Sequence, residues 1–470
     1  MEKAAGASLA SILKGYMLLL SLSLIQGIQG IGVNYGTVAN NLPPPPQVAK
    51  FLSESTIINR VRLFDANPEI LRAFAHTGIE ISITVPNDQI PHLTNLTFAQ
   101  QWLNTSVQPF VADTNLIRIL VGNEVISTAN KLLISNLVPA MQTLHTALAG
   151  SSLDNRIKIS TPNSLGILSN SSPPSTSRFR QGYDTHVIKP MLSFLEATDS
   201  PFMVNPYPFF GCTAETLDYA LFRGNPGEVD QNTGLRYTNM LDAQLDAVYS
   251  ALKDLGFENL EIVIAETGWP TLGEAQQIGV DPSSAAAFNG NLVRHVSSGE
   301  GTPLMPNRTF DAYIFALFDE NLKPGPICER NFGLFRPNMT PSYDIGLMKK
   351  TVTVTTSAGS VFISNRPNLG PLRAHVRSHS WVCPKQRQAQ DYICGPIQEG
   401  GDCVATDPTV RFRSHAASTI DTGDQARRRN EYDCDFEGTG SITTVDPREY
   451  LVGQTRNETE ISWGLMAIGF

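Results

Sequence analysis

Short apolar runs rich in β-branched residues recur along the chain and alternate with segments of helical spacing. Runs of this kind predict strands that are covered on both faces. Eight runs fit this pattern: Gly32–Tyr35, Arg60–Phe64, Ile79–Val85, Ile117–Gly122, Ile157–Thr161, Phe202–Tyr207, Ile262–Glu266 and Ala312–Phe318. Helical spacing is clearest in three of the intervening segments: Pro68–His76, Leu132–Leu148 and Tyr237–Leu255. Strands that alternate with helices predict an α/β fold, a (β/α)8 TIM barrel whose active site lies at the carboxyl ends of its strands.

Two of the predicted strands lead into a glutamate. The run Ile262–Ala265 ends on Glu266, just before the break at Gly-Trp-Pro, and Ile117–Gly122 is followed by Asn123 and Glu124. An unpaired carboxylate inside a doubly covered strand would be costly, so both glutamates belong in a polar site. A lone strand-end glutamate is more often a cap, an ion-pair partner or a metal ligand. Two of them on one barrel rim are the minimum for glycoside hydrolysis.

Several motifs follow one another in order from about Ile31 to Lys350, nearly all of them at predicted strand ends. They are Ile31-Gly32-Val33-Asn34-Tyr35-Gly36, Val61-Arg62-Leu63-Phe64-Asp65, Val121-Gly122-Asn123-Glu124-Val125, Ala265-Glu266-Thr267-Gly268-Trp269-Pro270, Phe318-Asp319-Glu320-Asn321-Leu322-Lys323 and Phe332-Gly333-Leu334-Phe335. Together these motifs closely resemble the plant endo-1,3-β-glucanases of glycoside hydrolase family 17. The resemblance implies a (β/α)8 barrel, a retaining mechanism and a β-1,3-glucan of laminarin or callose type as substrate.

The resemblance also implies a role for each glutamate. Glu266 matches the family's nucleophile and Glu124 its general acid/base. The nucleophile must be ionised, which requires hydrogen-bond donors or a cation nearby, whereas the proton donor needs a partly buried or negatively charged setting. In a retaining enzyme the two carboxyl groups are expected to lie about 5–5.5 Å apart.

Three further charged residues match positions that the family places beside the site. Lys323 is predicted to supply the cation of this network. Glu320 and Glu329 match two acidic residues, and ion pairs with Lys323 and Arg330 would explain both without any chemical role. A direct role for either carboxylate stays open, since one nucleophile and one acid/base suffice for the reaction.

Amides and aromatic rings complete the predicted site. Asn123, immediately before the acid/base, and Asn34 are predicted to hydrogen-bond sugar hydroxyls beside the scissile bond. Six aromatic residues lie at or just beyond strand ends, where rings can pack on the apolar faces of sugars: Tyr35, Tyr207, Phe210, Trp269, Phe318 and Phe335. The two tyrosines are predicted to touch substrate. Phe210 and Phe318 fit the core equally well, and the remaining two are predicted to pack near the site.

Composition and the amino terminus indicate a secreted enzyme. The net charge of −9 offers no basic footprint for nucleic acid, and 41% hydrophobic residues can supply a large core. Nothing resembles a phosphate-binding glycine loop, a zinc spacing or a Ser-His-Asp signature, so no cofactor and no metal are expected. Lys3, Lys14 and the apolar Gly15–Ile25 predict a signal peptide over residues 1–30. We therefore expect a monomer in the cell wall, with no integral membrane segment after signal removal.

The glycosylation sequons and the cysteines are also consistent with secretion into an oxidising compartment. Asn-x-Ser/Thr sequons occur at Asn95, Asn104, Asn170, Asn307, Asn338 and Asn457. Six cysteines are present, and Cys212 could pair with Cys328 to tie two loops of the barrel rim.

The character of the chain changes after the predicted barrel, residues 31–350. A linker is predicted over residues 351–380, followed by a module over 381–447 and a tail over 448–470. The segments around Cys383, Cys394, Cys403 and Cys434 resemble the X8 carbohydrate-binding module of family 43. That module has six cysteines and this segment only four, so a degenerate module and a working glucan-binding domain both stay open. The last ten residues are weakly apolar, short for a glycolipid-anchor signal.

Three functions remain compatible with these features. An active endo-hydrolase of β-1,3-glucan is favoured, because Glu124, Glu266 and Lys323 are all present. A hydrolase of another β-glucan is the nearest alternative, since linkage preference depends on the shape of the cleft. A catalytically silent glucan-binding wall protein is the third.

Overall fold

The computed structural model describes residues 31–357, 360–367, 381–383 and 440–442. The predicted signal peptide, the tail and most of the predicted module lie outside the described residues. The chain divides into two compact units, residues 1–368 and 369–470. The first of these units contains the predicted barrel.

Nine parallel strands form the central sheet of the first unit. Two more strands, β8 and β9, form a separate small hairpin. In chain order the strands are β1 Ile31–Tyr35, β2 Ile58–Leu63, β3 Glu80–Val85, β4 Asn115–Val121, β5 Lys158–Ser160, β6 Pro162–Ser164, β7 Phe202–Asn205, β8 Glu228–Val229, β9 Arg236–Tyr237, β10 Ile262–Thr267 and β11 Ala312–Ile314. The order within the sheet is β5-β4-β3-β2-β1-β11-β10-β7-β6.

The two edge strands of that order are halves of one barrel strand. β5 pairs with β4, β6 pairs with β7, and only Thr161 separates the two halves. The sheet therefore closes through this interrupted strand, and the predicted eight-stranded barrel is confirmed.

The eighth predicted strand is shorter than expected. The run was predicted to extend to Phe318, but the ladder ends at Ile314. The following backbone amides find partners outside a regular strand: Ala316 N–H donates to the carbonyl of Phe332 and Leu317 N–H to that of Asn34. The chain here leaves the sheet and turns over the barrel rim.

Ten α-helices are described in the first unit. Their bounds are α1 Pro45–Ser55, α2 Pro68–Ala73, α3 Ile90–Leu93, α4 Leu96–Ser106, α5 Lys131–Gly150, α6 Lys189–Ala197, α7 Pro208–Gly211, α8 Leu217–Ala220, α9 Met240–Asp254 and α10 Pro282–Ser298. The prediction of a helix from Tyr237 was early by three residues, because Tyr237 pairs in the hairpin and the Asn239 side chain caps α9. Asp281 caps α10 in the same way, accepting from two backbone amides of its first turn.

The barrel interior is apolar at mid-height and polar at its two ends. A small cluster of Leu120, Met203, Val263, Ala265 and Tyr313 is separate from the larger core between strands and helices. Below it, Arg118 donates to the Tyr313 hydroxyl at 3.2 Å and to Asp311 at 2.9 Å. Above it, the strand ends open into the site.

The remaining described strands lie beyond the barrel. β12 Lys350–Ser357 and β13 Ser360–Pro367 form an antiparallel hairpin within the segment predicted as a linker. β14 Trp381–Cys383 and β15 Gly440–Ile442 pair in parallel inside the predicted module. The domain boundaries themselves stay predictions. Across the described ranges, no helix has the length and apolar character that a membrane span requires.

Candidate active site

A cleft of about 530 Å³ opens at the carboxyl ends of the barrel strands. Its walls come from the ends of β4, β6, β7 and β10, from α9 and from the loops after β11. The lining residues are Asn123, Glu124, Ser164, Leu165, Ser171, Asn205, Tyr207, Phe210, Gly211, Gln244, Glu266, Phe315, Lys323, Glu329 and Phe332. Both predicted glutamates therefore face one cavity.

Glu266 lies near the end of β10, a strand whose six residues are all buried. Its side chain is tightly enclosed, with 6% of the residue surface exposed. One carboxylate oxygen lies 2.8 Å from Nη1 of Arg62, and the other accepts a hydrogen bond from the Tyr207 hydroxyl at 3.0 Å. A guanidinium and a phenol thus stabilise the negative charge of this carboxylate.

Tyr207 is held in the protonated state that this contact requires. Burial and the negative charge of Glu266 raise the pKa of the Tyr207 phenol well above its usual value. The hydroxyl therefore stays protonated around neutral pH and can donate to Glu266.

Arg62 is the cation next to Glu266, and it was absent from the predicted site. The residue lies in β2 with none of its surface exposed. Besides Glu266, its guanidinium donates to the carbonyl of Ala265 at 3.0 Å and to Oδ1 of Asn123 at 2.8 Å. One sequence signal pointed to it: a charged residue inside the apolar run that forms the strand.

Glu124 occupies a different local structure. It follows β4 in the left-handed region, at φ 52° and ψ 34°, and its backbone N–H donates to the carbonyl of Pro162 at 2.9 Å. The carboxyl group accepts a hydrogen bond from Nδ2 of Asn205 at 2.9 Å. Burial, and after it the charge of Glu266, raises the pKa of Glu124, although Asn205 and Arg62 act in the opposite direction. This carboxyl group is therefore biased toward its protonated form.

The two predicted amides differ in placement. Asn123 lines the cleft, and its Oδ1 accepts hydrogen bonds from Arg62 and, at 3.4 Å, from Asn205. Asn34 is fully buried instead, and its Nδ2 donates to the carbonyl of Ala265 at 3.0 Å. Asn34 therefore fixes the end of β10, and its predicted hydrogen bond to a sugar hydroxyl stays a prediction.

Lys323 lies in the cleft but not on Glu266. Its Nζ forms an ion pair with Glu329 at 3.1 Å and lies 4.2 Å from the centre of the Phe315 ring. The cation that contacts Glu266 is Arg62, which corrects the expectation for Lys323. Lys323 and Glu329 thus form one of the ion pairs that the sequence left open.

Glu320 has a structural position. It is buried, and its carboxylate accepts a hydrogen bond from the backbone N–H of Val38 at 2.9 Å. A Cβ atom on Gly36 would lie 2.3 Å from that carboxyl group, so the loop after β1 can pass Glu320 only with glycine at this point. Among the described residues Arg330 pairs with neither Glu320 nor Glu329, and it donates to the carbonyls of Lys323 and Gly325.

The aromatic residues divide between the cleft and the core. Tyr207 and Phe210 line the cleft with ring centres 5.3 Å apart, and Phe210 is 61% exposed. Tyr35 and Phe318 are both buried and pack edge-to-face with ring centres 6.1 Å apart. The Tyr35 ring thus packs in the core, and its predicted contact with substrate stays a prediction. The two rings predicted to pack near the site, Trp269 and Phe335, are also buried.

The proposed tie between Cys212 and Cys328 is not formed. Both thiols are free, and each has another partner. The Cys212 thiol donates to the carbonyl of Phe209 at 3.5 Å, and the sulfur of Cys328 accepts from Nε2 of Gln277 at 3.2 Å. The pairing was inferred from the neighbourhood of two rim loops, which does not place two sulfur atoms in contact.

Comparison with known proteins identifies the family. A family model described as "Glycosyl hydrolases family 17" matches residues 31–347. The chain belongs to glycosyl hydrolase family 17. "Glucan endo-1,3-beta-glucosidase 7" of Arabidopsis thaliana is similar to this family member, with 44% identity over 443 residues that cover 92% of this chain and 86% of the relative.

Solved structures agree with this assignment of the family 17 chain. The β-1,3-glucanase and allergen CJP38 of Cryptomeria japonica pollen is 40% identical, with a TM-score of 0.64 over 68% of this chain and 99% of that chain. One of two plant β-glucan endohydrolases with distinct substrate specificities is 35% identical, with a TM-score of 0.61 over 67% of this chain and 99% of that chain. The family 17 chain is a glycoside hydrolase, and the cleft that holds Glu124 and Glu266 is its candidate active site.

Proposed function

We propose that the protein is a retaining endo-hydrolase of (1→3)-β-D-glucosidic linkages. In this mechanism Glu266 attacks the anomeric carbon and forms a covalent glycosyl-enzyme, while Glu124 protonates the oxygen of the departing chain. Glu124 then removes a proton from water, which displaces Glu266 and releases a product with the original β configuration.

The opposed settings of the two carboxyl groups are the observation that carries this proposal. Arg62 and Tyr207 stabilise the charged form of Glu266. Burial and the charge of Glu266 raise the pKa of Glu124, which favours the protonated form. One carboxylate contacted by a guanidinium and a phenol, beside a second carboxyl group whose pKa is raised, is the arrangement that acid-assisted nucleophilic displacement requires.

The linkage is supported by the relatives. Glucan endo-1,3-β-glucosidases with more than 40% identity span most of this chain. Specificity within the fold does vary, since one related structure belongs to plant β-glucan endohydrolases with distinct specificities. A hydrolase of another β-glucan is therefore the second candidate.

Parallel digestion of laminarin, barley mixed-linkage glucan and carboxymethylcellulose tests the linkage. We expect rapid release of oligosaccharides from laminarin, slower release from mixed-linkage glucan and none from carboxymethylcellulose. A preference for mixed-linkage glucan would favour the second candidate. If no β-glucan is cleaved, the silent glucan-binding protein is the surviving alternative.

The stereochemistry of the first product tests the covalent mechanism. Proton NMR during the first minutes of laminari-oligosaccharide cleavage should show the β-anomer before mutarotation. An initial α-anomer would contradict attack by Glu266 and would require water to attack directly.

We further propose that the protein is secreted to the cell wall as a monomer and that residues beyond the barrel contribute binding rather than chemistry. The signal-like residues 1–30 support secretion. The similarity to the Arabidopsis relative covers 92% of this chain and so extends past residue 347. Truncation after residue 368 should preserve turnover of short oligosaccharides and weaken retention on insoluble curdlan. Loss of turnover on short substrates would contradict this division of labour.

A further inference from the structure

Helix α9 carries four buried polar residues, Asp242, Gln244, Asp246 and Ser250, and the environments of the first three differ. Asp242 contacts Nε2 of His295 at 2.8 Å and accepts from Nδ2 of Asn239 at 2.8 Å. Asp246 accepts from the backbone N–H of Leu304 at 2.7 Å and from the Thr302 hydroxyl. Both aspartates are thus satisfied within the protein, as buried polar groups usually are.

Gln244 lies between them in the sequence, and its amide oxygen, Oε1, lacks a hydrogen-bond partner among the described residues. Only 8% of its surface is exposed. A buried amide oxygen without a partner costs about 1–3 kcal/mol. Gln244 also differs from the two aspartates in its position, because it lines the cleft that contains Glu124 and Glu266.

Gly211 lies beside Gln244 in the wall of the cleft. A Cβ atom on Gly211 would lie 3.6 Å from Nε2 of Gln244 and 3.3 Å from Sδ of Met240. A larger side chain at this position would cover the amide. Gly211 ends α7, so the exposed ring of Phe210 stands immediately beside the opening.

An amide beside an exposed aromatic ring is the combination that recognises a sugar. The ring packs on the apolar face, and a hydroxyl group can donate to Oε1 or accept from Nε2. Rotation about the last side-chain bond of Gln244 exchanges its two amide atoms, so a ligand hydroxyl in the cleft can pair with whichever atom faces it.

We propose that Gln244, with Phe210 and Gly211, forms a subsite for a glucosyl unit of the bound β-glucan, and that Gln244 hydrogen-bonds one of its hydroxyl groups. This inference rests on the proposed function and adds a specificity-determining residue outside the reacting pair. The subsite would be filled by long chains and left empty by the shortest ones. Binding there should lower KM for long substrates.

The test compares KM across laminari-oligosaccharides of increasing length for the parent and for Gln244→Met. Methionine keeps the length of the side chain and removes its hydrogen bonds. The ratio of KM for long to short substrates should rise about fivefold to tenfold, the loss of one hydrogen bond to a neutral group. The midpoint of thermal unfolding should not fall, because the free protein offers the amide oxygen no partner. The matched control is Gln142→Met, an exposed glutamine on α5, which should leave the ratio unchanged.

A second variant approaches the same subsite from the other wall. Gly211→Ala should cover Gln244 and raise the KM ratio in the same direction. In the double variant the two effects should not add, because both remove one contact. An unchanged ratio in Gln244→Met, or a fall in unfolding midpoint with equal KM changes at every length, would overturn the subsite. If the parent cleaves laminarin, either result leaves the proposed function standing. A parent that cleaves no β-glucan overturns both.

Discussion

The ends of β4 and β10 carry the same residue type on the same barrel rim, yet they hold it in opposite ways. Glu266 ends a strand that is buried throughout, and an arginine and a tyrosine contact its two oxygens. Glu124 follows its strand in a left-handed turn, and a neutral amide contacts its carboxyl group. Because both residues are glutamates at strand ends, the difference between them lies in the groups that surround each carboxyl group.

Neighbouring charges create the difference between the two sites. The Arg62 guanidinium lies against Glu266, and the resulting carboxylate is itself one cause of the raised pKa of Glu124. The charge of Glu266 therefore favours the protonated form of Glu124. Each proposed role depends on the presence of the other carboxyl group.

Replacing each glutamate by glutamine should give the largest effects and should separate the roles. Glu266→Gln is expected to lower kcat by more than about 10⁴-fold, because no covalent intermediate can form. Glu124→Gln should lower it by about 10²–10⁴-fold on glucan. Aryl β-glucosides with good leaving groups should partly rescue Glu124→Gln only.

The matched control for these variants is Glu320→Gln, a rim carboxylate that contacts the Val38 amide. Its turnover should stay within a few-fold of the parent. Equal rescue of both active-site variants would show that the contrast between the two sites has no chemical consequence.

Removing the neighbours of the two carboxyl groups should give the next largest effects. Arg62→Met should lower kcat by about 10²-fold or more and destabilise the fold by about 3–5 kcal/mol, since it leaves Glu266 buried without its cation. Asn205→Ala should cost about tenfold or less, because it removes one neutral hydrogen bond from Glu124. Steady-state kinetics with thermal unfolding measure both. A larger loss in Asn205→Ala would reverse the ranking.

The dependence of kcat/KM on pH should show a smaller effect, which tests the coupling between the two carboxyl groups directly. Because burial and Glu266 raise the pKa of Glu124, the basic limb of kcat/KM should lie above the usual glutamate pKa. Glu266→Gln removes one of these causes, so the pKa of Glu124 should fall in that variant. Carbon-13 NMR of labelled glutamate carboxyl groups measures it directly. An equal or higher value in the variant would disprove the coupling.

The same shift affects stability, with a sign that can be checked. A carboxyl group whose pKa is raised in the folded state contributes stability at low pH and loses it as pH rises from the unfolded value through the folded one. In the parent, the raised pKa of Glu124 should make the free energy of unfolding decrease as the pH rises above 4.5. In Glu124→Gln this contribution to the decrease should be absent. Urea unfolding at a series of pH values provides the measurement.

Lys323→Met should give the smallest effect of the series. Lys323 pairs with Glu329 and stands over the Phe315 ring, and neither contact reaches Glu266. We expect kcat to fall by no more than about tenfold. A loss as large as that of Arg62→Met would restore the role that the sequence assigned to Lys323.

The sequence predicted well what depends on local pattern. Alternation of apolar runs with helical segments predicted the barrel, and strand-end glutamates predicted residues that share its cleft. The interruption at Thr161 was missed because a run of strand-forming residues does not reveal that its two halves pair with different neighbours.

Contacts between distant strands were harder to predict. Arg62 reaches Glu266 across 204 positions of the chain, and no periodicity records such a pairing. Asn205 contacts Glu124 through the same kind of closure. The burial of Tyr35 was not predicted for a related reason: a residue at the end of a strand can turn toward the cleft or toward the core, and only packing decides.

The left-handed backbone of Glu124 sets this protein's stability against its activity. A glutamate at φ 52° costs about 1 kcal/mol or more relative to its ordinary conformations, and asparagine tolerates this region better. A chain with asparagine at position 124 would be expected to fold more stably while losing the carboxyl group that we propose as proton donor. Selection for a robust fold alone would not favour glutamate at this position.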